Sequence, residues 1–88
     1  IMITQVTTAT MNFKKNTNNY NMWNTIGVIA FKKQDYNFAA TCFEMSLSIN
    51  PYNYDSLYNL KDTYAELGNN SGRLECEQKL KELKRPNN

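Results

Sequence analysis

Apolar residues return along this chain at helical intervals, and the intervals themselves repeat. Trp23, Ile26, Ala30 and the stem of Lys33 fall on one helical face. Tyr36, Ala39, Ala40, Phe43, Ser46 and Leu47 form a second stripe of the same period. Leu57, Leu60 and Tyr64 stand thirty-four residues after Trp23, Ile26 and Ala30, so the first stripe recurs one period later. Gly72, Cys76, Leu80 and Leu83 give a thinner fourth stripe. The pattern predicts four helices, over residues 20–33, 36–49, 54–67 and 71–84.

The breaks between stripes carry turn chemistry. Asn16-Thr17-Asn18-Asn19 separates the first helix from what precedes it. At the next turn Asp35 can cap the following helix, and Gln34 is expected in the left-handed conformation, at a cost under about 1–2 kcal/mol. Asn50-Pro51 ends the second helix, because the residue before Pro is pushed out of the α region. Gly68 falls one period after Gln34 and is the better C-cap, ahead of the turn Asn69-Asn70-Ser71-Gly72. Upstream, Val6, Ala9 and Phe13 fit one helical stripe, but Thr7, Thr8 and Thr10 weaken a helix there. Two readings stay open for residues 1–19: a leader, or the degenerate second helix of a preceding hairpin.

Size alternation suggests close packing. Gly27 and Ala39 are small and Phe43 is large, so two helix axes can approach with the ring filling the gap beside them. A mid-helix Gly costs roughly 0.5–1 kcal/mol against Ala, which implies that the absent side chain is needed. The second period departs from this. Lys61 replaces Gly27 and must lay its stem along the helix or point outward, so that hairpin is expected to close less tightly. Arg73 and Glu77 fall where Ala39 and Phe43 would repeat. Glu75–Lys79 and Glu77–Lys81 are spaced for i, i+4 pairs on a charged terminal helix, which suits a polar end cap.

Trp23-x2-Ile26-Gly27-x2-Ala30, then Ala39-x3-Phe43, then Pro51, resembles the tetratricopeptide repeat, W-x2-L-G-x2-Y, A-x3-F, P, over thirty-four residues. Ile26 stands for the Leu and Ala30 for the Tyr; Tyr64 restores the Tyr one period on. The resemblance runs from Tyr20 to about Pro86, with repeats at 20–53 and 54–88. The first matches well; the second matches in its opening helix and poorly in its closing one. It implies an all-α fold, antiparallel helical hairpins stacked as a short right-handed solenoid. It also implies a protein-interaction module, a scaffold or adaptor, whose first helices line a concave groove. By that resemblance Asn21, Asn24, Val28, Phe31 and Lys32 face the groove, with Tyr58, Asn59, Asp62 and Ala65. Some members clamp a C-terminal carboxylate with Lys, Arg and Asn at set places; Asn24 and Val28 hold two of those places, so that clamp looks absent. Trp23, Tyr36, Phe43 and Tyr64 read as core. Phe31 and Tyr58 are expected to be more exposed than Trp23 or Phe43 and to touch the bound peptide.

Composition narrows the rest. Eighty-eight residues make one small domain or a piece of a larger protein. The net charge of +2 argues against nucleic acid, although a pentatricopeptide-like RNA-binding repeat is the alternative to weigh. A third reading is a structural subunit packing through its outer faces. The chain has no His, no Gly-rich phosphate loop and no nucleophile–base motif, so no enzyme activity, metal or cofactor is expected. Asp55, Asp62 and Glu66 read as a solvated face, and Asn69-Asn70-Ser71 matches a glycosylation sequon by pattern only. Cys42 and Cys76 are one repeat apart, and stacked helices lie about 8–10 Å from each other, too far to bridge. Reduced thiols are expected, hence an intracellular, cytoplasmic location. No apolar run suits a membrane helix, and Ile1-Met2-Ile3-Thr4 lacks the regions of a signal peptide. Partners are expected to be proteins or peptides, with self-association possible through the apolar end faces.

Overall fold

A computed structural model describes residues 19–84. Four helices follow one another: α1 Asn19–Lys32, α2 Tyr36–Ile49, α3 Tyr54–Leu67 and α4 Asn70–Lys84. No strand occurs among the described residues. Each helix packs on the next, and α1 also touches α3, so two antiparallel hairpins stack with their first helices side by side. The readings of residues 1–18 as leader or helix lie outside the described residues.

The turns form as their chemistry requires. Gln34 takes φ 65°, the left-handed conformation expected of it. The Asp35 side chain accepts from the Phe38 N–H at 3.3 Å and starts α2. Asn50 leaves the helix with φ −131°, as its neighbour Pro51 demands. Asn53 then caps α3, accepting from the Ser56 N–H at 2.9 Å. Gly68, at φ 75°, ends α3 and donates to the carbonyls of Ala65 and Tyr64. The Asn69 side chain accepts from the Gly72 N–H at 3.0 Å, so α4 opens one residue earlier than its apolar stripe suggests.

The core holds Ala30, Ala39, Ala40, Phe43, Leu57, Leu60, Cys76 and Leu80, with Val28, Phe31, Leu47 and Tyr64 packed around it. Phe43 is fully buried, but Trp23, Tyr36 and Tyr64 are half-buried and frame the core. A Cβ at Gly27 would stand 2.5 Å from the Phe43 ring, so the first hairpin closes by the expected close approach. The second hairpin closes by a different pair. Tyr64 is the large residue there, and a Cβ at Gly72 would lie 2.7 Å from its ring. Large and small have exchanged helices, and the two helices of this hairpin still meet less extensively than those of the first, in line with the looser closure expected. The charged residues that replace Gly27, Ala39 and Phe43 are managed at the edge. Arg73 Nη1 meets Glu77 Oε2 at 2.8 Å, and Lys61 lies 4.0 Å over the Tyr58 ring and 3.2 Å from Asp62. Glu77 thus turns back to Arg73 and not forward to Lys81, which corrects that expected pairing.

Candidate partner-binding groove

Where α1 and α3 lie side by side they enclose a cavity of about 100 Å³. Val28, Phe31 and Lys32 line it from α1, Asn59 and Asp62 from α3, and Phe43 forms its floor. Each group has a simple cause. Phe31 and Lys32 stand three and four residues after Val28, and Asp62 three after Asn59, so each set gathers on one side of its helix. The floor is apolar because Phe43 fills the space beside Gly27. The rim is polar and of mixed sign, with an exposed Lys32 ammonium on one side and the Asp62 carboxylate on the other.

Polar contacts hold the two walls in register. Asn24 Oδ1 accepts from Ser56 Oγ and from Asn59 Nδ2, both at 3.1 Å. Ser46 Oγ donates to the Tyr20 carbonyl at 2.9 Å and lies 2.6 Å from Ser56 Oγ. Ser46 and Ser56 are fully buried. Three helices are therefore stitched by hydroxyl and amide groups under the groove. Ser46 was placed on the buried stripe by its spacing; Ser56 was not. Its signal was a serine where that face demanded an apolar residue.

Of the nine residues that the resemblance assigns to the groove, five meet at this cavity: Val28, Phe31, Lys32, Asn59 and Asp62. Asn24 lies beneath, half-buried, with its carbonyl engaged between the hairpins. Asn21 and Ala65 are exposed and do not line it. Tyr58 is elsewhere, because it precedes Asn59 by one residue and so points about 100° away around the helix. It is 45% exposed, stacks on Tyr54 at 6.2 Å, and lines a shallower hollow of about 250 Å³ with Lys61, Glu77, Leu80 and Lys81. Both rings are more exposed than Phe43, as expected, but it is Phe31 and not Tyr58 that reaches the cavity. The Phe31 ring is half-buried, packed on the core and set edge-on to Tyr36 at 5.1 Å.

Burial pushes the Cys76 thiol up to about 11, with Lys79 opposing and Glu75, Glu44 and Glu77 adding. Burial, and then Asp35, raises Cys42. Burial raises the Tyr64 phenol too, helped by its hydrogen bond to Glu44. Both cysteines are buried and unpaired. Among the described residues no three His, Cys, Asp or Glu side chains gather as a metal site would need, and no helix is long and apolar enough to cross a membrane.

No family profile and no solved structure matches the chain. One curated protein that it resembles is described as "BBSome complex member BBS4 homolog", from Drosophila melanogaster; the two are 42% identical over 43 residues. That stretch is 49% of this chain but 9% of the fly protein, so the chain matches a small part of it.

Proposed function

We propose that this chain is a tetratricopeptide-type unit that holds a short segment of another protein against the concave face of α1 and α3. The carrying observation is the cavity itself: its walls come from the two equivalent first helices, and it has an apolar floor with a polar rim. That combination suits a peptide with an apolar side chain flanked by polar groups. The fly relative is named as a member of a complex, which supports a role in holding proteins together. The role carries no chemical reaction and needs no cofactor. Two unpaired buried thiols favour a location inside the cell. A subunit that packs through its outer faces is the second reading, favoured by the Tyr54–Tyr58 stack exposed on α3.

The test is capture of partners from the source organism, read by mass spectrometry, with variants of the rim. Lys32→Glu and Asp62→Lys should lose the captured set with little change in melting, because Lys32 is exposed and the Asp62 carboxylate lies at the rim. Tyr58→Ala should retain it. Loss with Tyr58→Ala and retention with the rim variants would move binding to the outer face. Salt-sensitive recovery of RNA in place of protein would replace the proposal with nucleic-acid binding.

A further inference from the structure

The groove walls carry opposite charges over a small apolar hollow, and each feature restricts what can lie there. Lys32 stands exposed on α1 and makes no ion pair among the described residues. Across the hollow, the Asp62 side chain is 47% exposed; its Oδ1 meets Lys61 Nζ at 3.2 Å, so its second oxygen stays available. Lys61 is itself drawn over the Tyr58 ring and does not line the hollow. Between the two charges the fully buried Phe43 ring closes the floor, and Val28 and Phe31 make the apolar wall. Asn59 is held to Asn24 at 3.1 Å, so the hollow is formed before anything binds.

Resting on the groove reading above, we propose that the occupant is a segment of another protein presenting one leucine, isoleucine or valine, with an acidic residue two positions to one side and a basic residue two positions to the other. Volume sets the anchor. A cavity of about 150 Å³ takes the six carbons of benzene, or about 25 Å³ per carbon. The hollow of about 100 Å³ therefore takes about four carbons, the size of a branched aliphatic side chain. An aromatic side chain is too large, and the buried Phe43 floor leaves no room to deepen. Spacing sets the flanks. In an extended segment alternate side chains share a face, so the residues two before and two after the anchor point the same way, about 13 Å apart. Packed helices lie about 8–10 Å apart, and Lys32 and Asp62 reach outward from theirs. The acidic side chain then meets Lys32 and the basic one meets Asp62. Exposed pairs such as these add little affinity but select between partners.

The test is selection from a displayed library of short random peptides on the full chain and on two rim variants, with melting curves showing that each chain is folded. The parent should enrich an aliphatic anchor with one acidic and one basic flank. Lys32→Glu makes both sides of the rim negative and should enrich basic residues on both flanks. Asp62→Lys makes both sides positive and should enrich acidic residues on both. The best parent peptide, followed by fluorescence anisotropy, should bind either variant roughly ten-fold more weakly, because an attraction becomes a repulsion. If a charge reversal fails to fold, Lys32→Gln or Asp62→Asn takes its place and should erase the preference at one flank. Aromatic anchors whose flanks still follow the variants would overturn this occupant and leave the groove reading standing. Flanks that follow neither variant, or no enrichment by the parent, would overturn both.

Discussion

Gly27 shows how one missing side chain sets a helix-to-helix distance. The Phe43 ring occupies the space that any Cβ there would need, and that ring is fully buried. Gly27→Leu should therefore cost at least the usual 1–3 kcal/mol or so of overpacking. For a domain of this size that is a fall in melting temperature of at least about 4 °C, and a smaller change would remove the close-approach argument. Cys76 permits a second prediction at this scale. Its thiol is raised from 9.0 to about 11, so the folded chain binds that proton more tightly than the unfolded chain does. Its contribution is fully present below pH 9.0 and is lost as pH rises towards 11. Urea unfolding should show stability falling over that window, and Cys76→Ser should flatten the fall. An unchanged slope would assign the alkaline loss to Cys42 and Tyr64, which are raised by the same cause.

Between helices, polar groups and apolar groups divide the work. The first hairpin closes on Gly27 and Phe43, the second on Tyr64 and Gly72, and the two hairpins meet over Asn24, Ser46, Ser56 and Asn59. Removing the Asn24 amide takes away the acceptor shared by Ser56 and Asn59 and leaves the Ser56 hydroxyl only Ser46 to donate to, which costs about 1–3 kcal/mol. Asn24→Ala should lower urea stability by that amount, while Thr25→Ala, whose hydroxyl bonds back to the Asn21 carbonyl at an exposed site, should stay within about 0.5 kcal/mol. Comparable losses from both would remove the stitching role. These contacts also mark where sequence reading stopped. Apolar spacing placed all four helices to within a residue, and Gln34, Asp35, Pro51 and Gly68 declared the turns. Five residues of the cavity's lining were among those that the repeat resemblance pointed to. Tyr58 was pointed to as well but lies elsewhere, because one residue of offset on a helix changes the face and the family pattern says little about the margin of the groove. The Tyr64–Gly72 exchange was hidden for another reason: it conserves the sum of two volumes, not either residue.

As a whole, the described chain has a small core, and Tyr54, Tyr58, Leu74 and Leu83 stay exposed on its second hairpin. Chains of this size are marginal, and stacked repeats gain stability from each added neighbour. The isolated protein should melt within the ordinary mesophile range of about 45–65 °C, or associate as its concentration rises, as light scattering over a dilution series would show. A monomer at every concentration that melts above roughly 70 °C would contradict this.

The buried seam around Asn24 has a mechanical counterpart. A purely greasy joint lets two bodies glide past one another and settle at several nearly equal offsets. Hydrogen bonds of about 3 Å tolerate only a few tenths of an ångström, so this joint works as an index pin with a single seat. Val28 and Phe31 ride on one body, Asn59 and Asp62 on the other. The distance a visitor meets between those walls is therefore written largely beneath the surface, in Asn24, Ser46 and Ser56. Altering these three would retune what fits without changing any atom of the cavity's lining.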